Sequence, residues 1–509
     1  MTTIKNKNNK ERKNTSSKKN NRGGRVFGRG GYGCVFRPPL KCKNIQNTDQ
    51  NLNVNNVTKL MMTKYAKREF TEFEKFKKIL KNIPNYENYF LINNITLCIP
   101  EEFSKEDLKN FDKNCKTLEN KNYNESNINE KLDDLLGINM PYGGIEVSDY
   151  VDKTNFNIQK MKVLNNKLIH LLKNGIIKMN ENNIYHTDIK ESNVLVGKSN
   201  NDIRTRLIDW GMSVIYNGEK NIPILLSGRP IQYNVPFSSI LLNNRFKQLC
   251  DDFLKENPNP SKSELRSLIL YTINNNKTPQ LKIINYTFNV IYNDEYSALL
   301  NNNNDNNNDK NNDKNNHKNN NKSKYNYTIE KIYNYLGKVL EKYIKNGTFH
   351  QFDFFKEVYL KNLDIWGFFS MYLYFVEYIS IINIKNGIKQ LKKNQLKLID
   401  KIKEGYSLIL NCANIPIDID ALVKILKEID PLLNESLNEE LQNKKMRFTH
   451  LFQALNKKKT SNYKTPSGNI IALNNDIANN YNIINIDNIH KMITKKNSTK
   501  KNSTKQIEN

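Results

Sequence analysis

His186-Thr187-Asp188-Ile189-Lys190-Glu191-Ser192-Asn193 is followed, sixteen residues after Asn193, by Asp209-Trp210-Gly211. An aspartate with a lysine two residues on and an asparagine five residues on, then a second aspartate closing an apolar run, sets proton-accepting and metal-seeking groups on neighbouring loops. Phosphoryl transfer needs that grouping. Val194-Leu195-Val196, the turn former Gly197 and Leu207-Ile208 predict a β-hairpin between the loops, so both would open on one side of a short sheet.

Other segments must position these groups. From Met161 to Met179, Leu164, Leu168, Leu171, Leu172, Gly175 and Met179 recur mostly at three- and four-residue steps, which predicts a helix delivering His186 and Asp188. His186 reads as a buried histidine satisfied by backbone groups, with no proton-transfer role. Near the amino terminus, Gly28-Arg29-Gly30-Gly31-Tyr32-Gly33-Cys34-Val35 fits G-x-G-x-x-G-x-V. In dinucleotide-binding folds such glycines open a helix, but here Arg25-Val26-Phe27 and Val35-Phe36 read as strands and Pro38-Pro39 disfavours an immediate helix. The glycines therefore belong to a hairpin, where small residues let backbone N–H groups approach phosphate oxygens. Val57-Thr58-Lys59 follows as a strand, and Phe70, Phe73, Phe76 and Leu80 predict a helix from about Ala66 to Lys81 that packs on a sheet.

Taken together, these motifs resemble those of a protein kinase. The resemblance implies an α+β, two-lobed protein-kinase-like fold, with a smaller, mostly β amino-terminal lobe and a mostly helical carboxy-terminal lobe carrying a long insertion. It implies ATP and Mg²⁺ as cofactors. ATP would lie against Gly28, Gly30, Gly33 and Val35, with Lys59 as the cation for its α- and β-phosphates. A glutamate of the following helix would hold that lysine. Glu72 is the expected partner, with Glu69 and Glu74 as alternatives. Met140-Pro141-Tyr142-Gly143-Gly144, on its own a turn, resembles the interlobe segment, so backbone groups of Met140 and Tyr142 are expected to meet adenine. Asp188 would orient and deprotonate the acceptor hydroxyl, Lys190 would neutralise charge on the transferred group, and Asn193 and Asp209 would hold Mg²⁺. Asp364-Ile365-Trp366-Gly367 resembles the start of a buried helix whose aspartate braces the catalytic loop through backbone amides.

Departures from the pattern carry their own expectations. Thr187 stands where many kinases have arginine, so that arginine's pairing with a phosphorylated loop is lost and activity is expected not to need loop phosphorylation. Trp210 replaces the phenylalanine of D-F-G. Val235-Pro236-Phe237 stands where A-P-E is expected and lacks the glutamate of a structural ion pair. Lys190 matches the serine/threonine kinases rather than the tyrosine kinases. The H-x-D-I-K loop, Tyr233-Asn234-Val235-Pro236-Phe237, the Asn-rich insertions and the basic tails most resemble the serine/threonine kinases of large DNA viruses.

The expected organisation is a basic tail over 1–22, an amino-terminal lobe over 23–139 with an insertion at about 101–135, a carboxy-terminal lobe over 140–455 with an insertion at about 244–345, and a basic polar tail over 456–509. Residues 301–324 are almost wholly Asn, Asp and Lys, too polar to offset chain entropy, and are expected to be disordered. The apolar stretch Phe368 to Ile384 contains Glu377 and reads as a buried core helix, so no membrane span is expected.

At 509 residues with 38% hydrophobic content, the chain can bury the cores of two lobes plus an insertion. Six cysteines, at 34, 42, 98, 115, 250 and 412, show no paired metal spacing and are expected to be free thiols in an intracellular reducing compartment, the host cytoplasm or a virion if the chain is viral. The formal charge of +27 and the basic tails at Lys5 to Arg22 and Lys495 to Lys505 suit solvated ends, nucleic acid or acidic proteins. The leading partner is a protein carrying a Ser/Thr acceptor. The rival readings are a silent pseudokinase scaffold and a nucleic-acid-binding protein with a kinase-like region.

Overall fold

The structure, a computed structural model, describes residues 24–29, 32–44, 55–199, 202–275, 283–284, 286–288, 290–292, 330–385 and 391–441. The basic tails, the stretch 301–324 and Gly30 lie outside them. The architecture mixes helix and sheet in two compact units, one formed by Met1–Lys78 with Leu91–Tyr142, the other by Ile79–Phe90 with Gly143–Asn509.

The first unit is built on a five-stranded antiparallel sheet, in the order β1 (Arg25–Arg29), β2 (Gly33–Arg37), β3 (Asn56–Met62), β5 (Leu135–Pro141), β4 (Thr96–Cys98). Because side chains alternate across a sheet, its two faces hold different residues. Gly28, Val35, Lys59 and Ile138 stand opposite one another along one row. The neighbouring row, Cys34, Leu60, Gly137 and Cys98, faces the other way. That second face is covered by the segment expected as a polar insertion, whose Phe103, Leu108, Phe111, Leu118, Ile128 and Leu132 are buried with Cys34, Phe36 and Leu60. Apolar residues spaced irregularly among Lys, Asn and Glu are enough to make a core when two short helices, Phe111–Asn114 and Lys116–Glu119, fold them onto a sheet.

Cys34 pairs with Cys115 and Cys42 with Cys98. The expectation of six free thiols is therefore corrected: among the six, Cys250 and Cys412 are free, and both are buried. Partners 81 and 56 residues apart meet because the sheet brings their strands and the covering segment together, which spacing along the chain does not reveal.

Helix α1, Thr63–Leu80, follows β3 without a loop. Its buried stripe is Ala66, Glu69, Phe73, Phe76 and Leu80, at steps of three, four, three and four, the spacing of one helical face. Gly33 is required where β2 meets β3, since a Cβ there would lie 2.1 Å from the carbonyl oxygen of Leu60.

In the second unit, helix α2 (Ile158–Leu171) runs through one wide turn into Ile177–Glu181 and delivers the short strand β7 (Ile184–Tyr185), just ahead of His186. The predicted hairpin forms from β8 (Val194–Ser199) and β9 (Asp202–Leu207), with β6 (Ile145–Glu146) on the outer side of β8, but Gly197, expected as its turn former, lies inside β8 opposite Arg204. Strand β10 (Val214–Ile215) pairs with β7. Phe368 to Ile384 is two helices rather than one, the end of α3 (Leu360–Ser370) and α4 (Leu373–Lys385). Among the described residues no helix is long and apolar enough to cross a membrane. The expected insertion after Leu242 contributes helices Asn244–Glu256, Lys262–Asn275 and 330–343.

Candidate active site

The loop 186–193 is held from below by α3. Buried Asp364 accepts the backbone N–H groups of His186 at 2.8 Å and Thr187 at 2.7 Å, and the side-chain amide of Asn180 at 2.8 Å. Burial pushes the Asp364 carboxyl up, and its electrostatic interaction with His186 and the bonds from these donors pull it only part of the way back. Close approach requires Gly367, where a Cβ would meet the carbonyl oxygen of Ile189 at 2.8 Å. His186 is fully buried, with Nε2 2.9 Å from the carbonyl oxygen of Ile208 and its ring 5.1 Å from that of Trp210. Trp210 in turn packs on Phe90.

Two residues here have left-handed backbone, Thr187 at φ 64° and Asp209 at φ 65°. For β-branched Thr187 this is a strained conformation that surrounding bonds must enforce. They are Asp364 on its N–H, the carbonyl oxygen of Met212, which accepts its hydroxyl at 2.7 Å, and the Arg229 guanidinium, which donates to its carbonyl and hydroxyl oxygens.

Asp188 lies at the centre. Its Oδ2 accepts from Lys190 Nζ at 2.8 Å and Asn193 Nδ2 at 3.0 Å, and its Oδ1 from Arg229 Nη2 and Asn234 Nδ2, both at 2.9 Å. A carboxylate offers about four lone-pair positions, and these four donors take all of them. Burial alone would raise the Asp188 carboxyl, but the charges of Lys190 and Arg229 and the bonds from Lys190 and Asn234 outweigh it and hold it below its ordinary value. The group is ionised and weakly basic, suited to orienting a hydroxyl more than to removing its proton.

Buried Asn193 also donates to the backbone oxygen of Asp188 at 2.8 Å, and no described group donates to its Oδ1. Asn193 precedes β8 and Ile208 follows β9, and the Ile208 N–H donates to the Asn193 carbonyl at 3.0 Å. The exposed Asp209 carboxylate thus starts from the same end of the hairpin as Asn193. One carboxylate and one amide oxygen are an incomplete ligand set that Mg²⁺ accepts when substrate phosphates and water fill the remaining positions. The described residues contain no group of three His, Cys, Asp or Glu side chains able to hold a metal ion by themselves.

In the first unit, Lys59 is buried and pairs with Glu69, Nζ lying 2.6 Å and 2.8 Å from its two carboxylate oxygens. The expected partner Glu72 is corrected to Glu69. Both side chains of the pair are about a tenth exposed, 11% and 10%, because Glu69 occupies a position in the apolar stripe of α1 that faces the sheet, whereas Glu72 sits beside that stripe. Val35 is opposite Lys59, and Gly28 is opposite Val35, so three of the predicted residues share a row. Met140 stands opposite Val57 in the β3–β5 ladder. The expectation for Tyr142 is corrected in one respect: its N–H donates to the Asn55 carbonyl at 2.7 Å and is not available to a ligand. Its ring carries the Arg37 guanidinium 3.5 Å from the centroid.

Arg229 and Asn234 were not legible as site residues from the motifs. The available signal was that Arg229 is the sole Lys or Arg between Lys220 and Arg245, within a run rich in Ile, Leu, Val and Phe, and a cation in such a run needs a buried partner. Nearby, Phe237 packs 5.1 Å from the ring of Trp366, whose indole N–H donates to the Tyr233 carbonyl at 3.1 Å. The Val235-Pro236-Phe237 segment is thus anchored by aromatic packing.

No family model matches the chain, and no curated protein matches it. Among solved structures, one described as the crystal structure of a kinase domain is similar over 43% of this chain and 57% of its own length, at 16% sequence identity and a TM-score of 0.25. This chain thus spans little more than half of that neighbour, and a similarity so slight carries no argument about fold or activity.

Proposed function

We propose that this protein is an ATP-dependent protein kinase that transfers the γ-phosphate to serine or threonine hydroxyls. The observation that carries the reading is the loop built around Asp188, with Lys190 and Asn193 on its carboxylate and Asp364 bracing its backbone. Asp188 would accept the hydrogen bond of the acceptor hydroxyl and aim its oxygen. Lys190, 24% exposed and with Asp188 as its ion-pair partner, is the donor best able to leave and follow charge onto the transferred group. From the first unit, Lys59, held by Glu69, would bind phosphate oxygens. Asn193 and Asp209 would hold Mg²⁺, which when bound would neutralise phosphate charge. Serine/threonine rather than tyrosine specificity rests on Lys190 and on the resemblance to viral kinases of that class.

The saturation of Asp188 by four donors favours a second reading, a scaffold that binds nucleotide without turnover. A Mg²⁺-dependent ATP turnover assay separates the two. In the kinase reading, Asp188→Ala abolishes transfer of labelled phosphate to a generic basic or acidic protein while ATP binding persists. Undiminished transfer by that variant would refute the assignment.

A further inference from the structure

Between Ser213 and Pro236 the chain crosses the catalytic loop, which it meets through Ser213, Tyr233 and Asn234 and, with the largest number of bonds, through Arg229. Arg229, 2% exposed, donates from Nη1 to the carbonyl and hydroxyl oxygens of Thr187, and from Nη2 to Asp188 Oδ1 at 2.9 Å and Gln232 Oε1 at 3.0 Å. A planar guanidinium can serve four acceptors at once, which an ammonium cannot. We propose that Arg229 is a positioning residue that locks the 213–236 segment onto the catalytic loop from within, doing the work that phosphorylation of such a segment would otherwise do. The polarity is reversed relative to a phosphorylated segment meeting a loop arginine. Here the segment carries the cation and the loop carries the acceptors, which accounts for threonine at 187.

A second observation points the same way. The segment has four hydroxyl side chains, Ser213, Tyr216, Ser227 and Tyr233. Ser213, Tyr216 and Tyr233 are buried, and the Tyr233 hydroxyl donates to both oxygens of Glu191 at 2.9 Å. Half-buried Ser227 is the one left within reach of a modifying enzyme. The segment is ordered by contacts it already possesses.

The inference rests on the kinase reading for its catalytic consequence but not for the lock itself, so two readouts are needed. Full-length protein co-expressed with a phosphatase, its dephosphorylated state verified by mass, is compared with Arg229→Met and Arg229→Lys. Hydrogen exchange is followed in peptides covering 213–236, and kcat and KM for ATP are measured with a generic protein acceptor. Unphosphorylated wild type is expected to be protected in that segment and fully active. Arg229→Met should exchange at least about tenfold faster there and lose about 10²-fold in kcat with KM for ATP unchanged, the scale of a small misplacement of a catalytic group. Arg229→Lys should fall between, and it carries the test if the Met variant lacks native tryptophan emission. Retained protection and kcat in both variants would overturn the proposal, as would a wild type that becomes active only after the segment is phosphorylated. If wild type transfers no phosphate in any state yet Arg229→Met loses protection, the lock stands and the kinase reading fails.

Discussion

Glu377→Gln should stabilise the second unit, and by an amount that depends on pH. Glu377 is 6% exposed in the interior of α4. The Tyr286 hydroxyl donates to its Oε1 at 3.0 Å, while its buried Oε2 has no hydrogen-bond partner among the described residues. Burial, opposed by the Tyr286 bond and reinforced by the charges of Glu191 and Asp152, pushes the carboxyl up from 4.5 to about 7. A carboxyl with a raised folded-state pKa contributes its full stability below the unfolded value. That contribution is lost as pH rises from about 4.5 towards 7 and stays lost above, because the unfolded chain ionises freely while the folded one cannot. At about 1.4 kcal/mol per unit, the native protein at pH 8.5 carries a deficit of about 3 kcal/mol, and at pH 5 of less than about 1 kcal/mol. Glutamine keeps the oxygen that Tyr286 bonds and cannot ionise. The gain of Glu377→Gln over wild type should therefore grow by about 2.5 kcal/mol between pH 5 and pH 8.5. Urea unfolding followed by tryptophan emission measures this, since the two tryptophans of the chain, Trp210 and Trp366, are both buried in the second unit. Other titrating groups, including Glu146, whose carboxyl is also pushed up to about 7 by burial and the neighbouring Asp149 and Glu191, are present in both proteins and largely cancel in the difference. A stability gap that does not change with pH would show that Glu377 is not held in a desolvated site.

Two further outcomes are expected. Glu69→Gln should lower phosphate transfer by at least about tenfold, roughly the loss of 1.4 kcal/mol of ground-to-transition-state positioning, whereas Glu72→Gln leaves it near wild type; the reverse ranking in a steady-state assay would overturn the pairing with Lys59. Alkylation of oxidised, urea-unfolded protein should modify two cysteines, Cys250 and Cys412, and six after reduction, and six before reduction would rule out both disulfides.

The sequence by itself determined the local chemistry. Val194-Leu195-Val196 and Leu207-Ile208 marked the two strands of the hairpin between the loops that carry Asp188, Lys190, Asn193 and Asp209, and Asp364 was legible only through the resemblance of its segment to a kinase helix, inside which it lies rather than at the start. Only the tertiary structure decided which distant groups meet. Arg229 and Asn234 reach Asp188 across 41 and 46 residues, the cysteines pair across 56 and 81, and such partners are set by how elements pack, which no short-range period encodes. Glu69 lies between the two cases. The stripe Ala66, Phe73, Phe76 and Leu80 leaves position 69 as its vacant step, but what fills that step is decided by a lysine on the adjoining strand, whose charge makes a buried carboxylate stable where an apolar residue would otherwise stand.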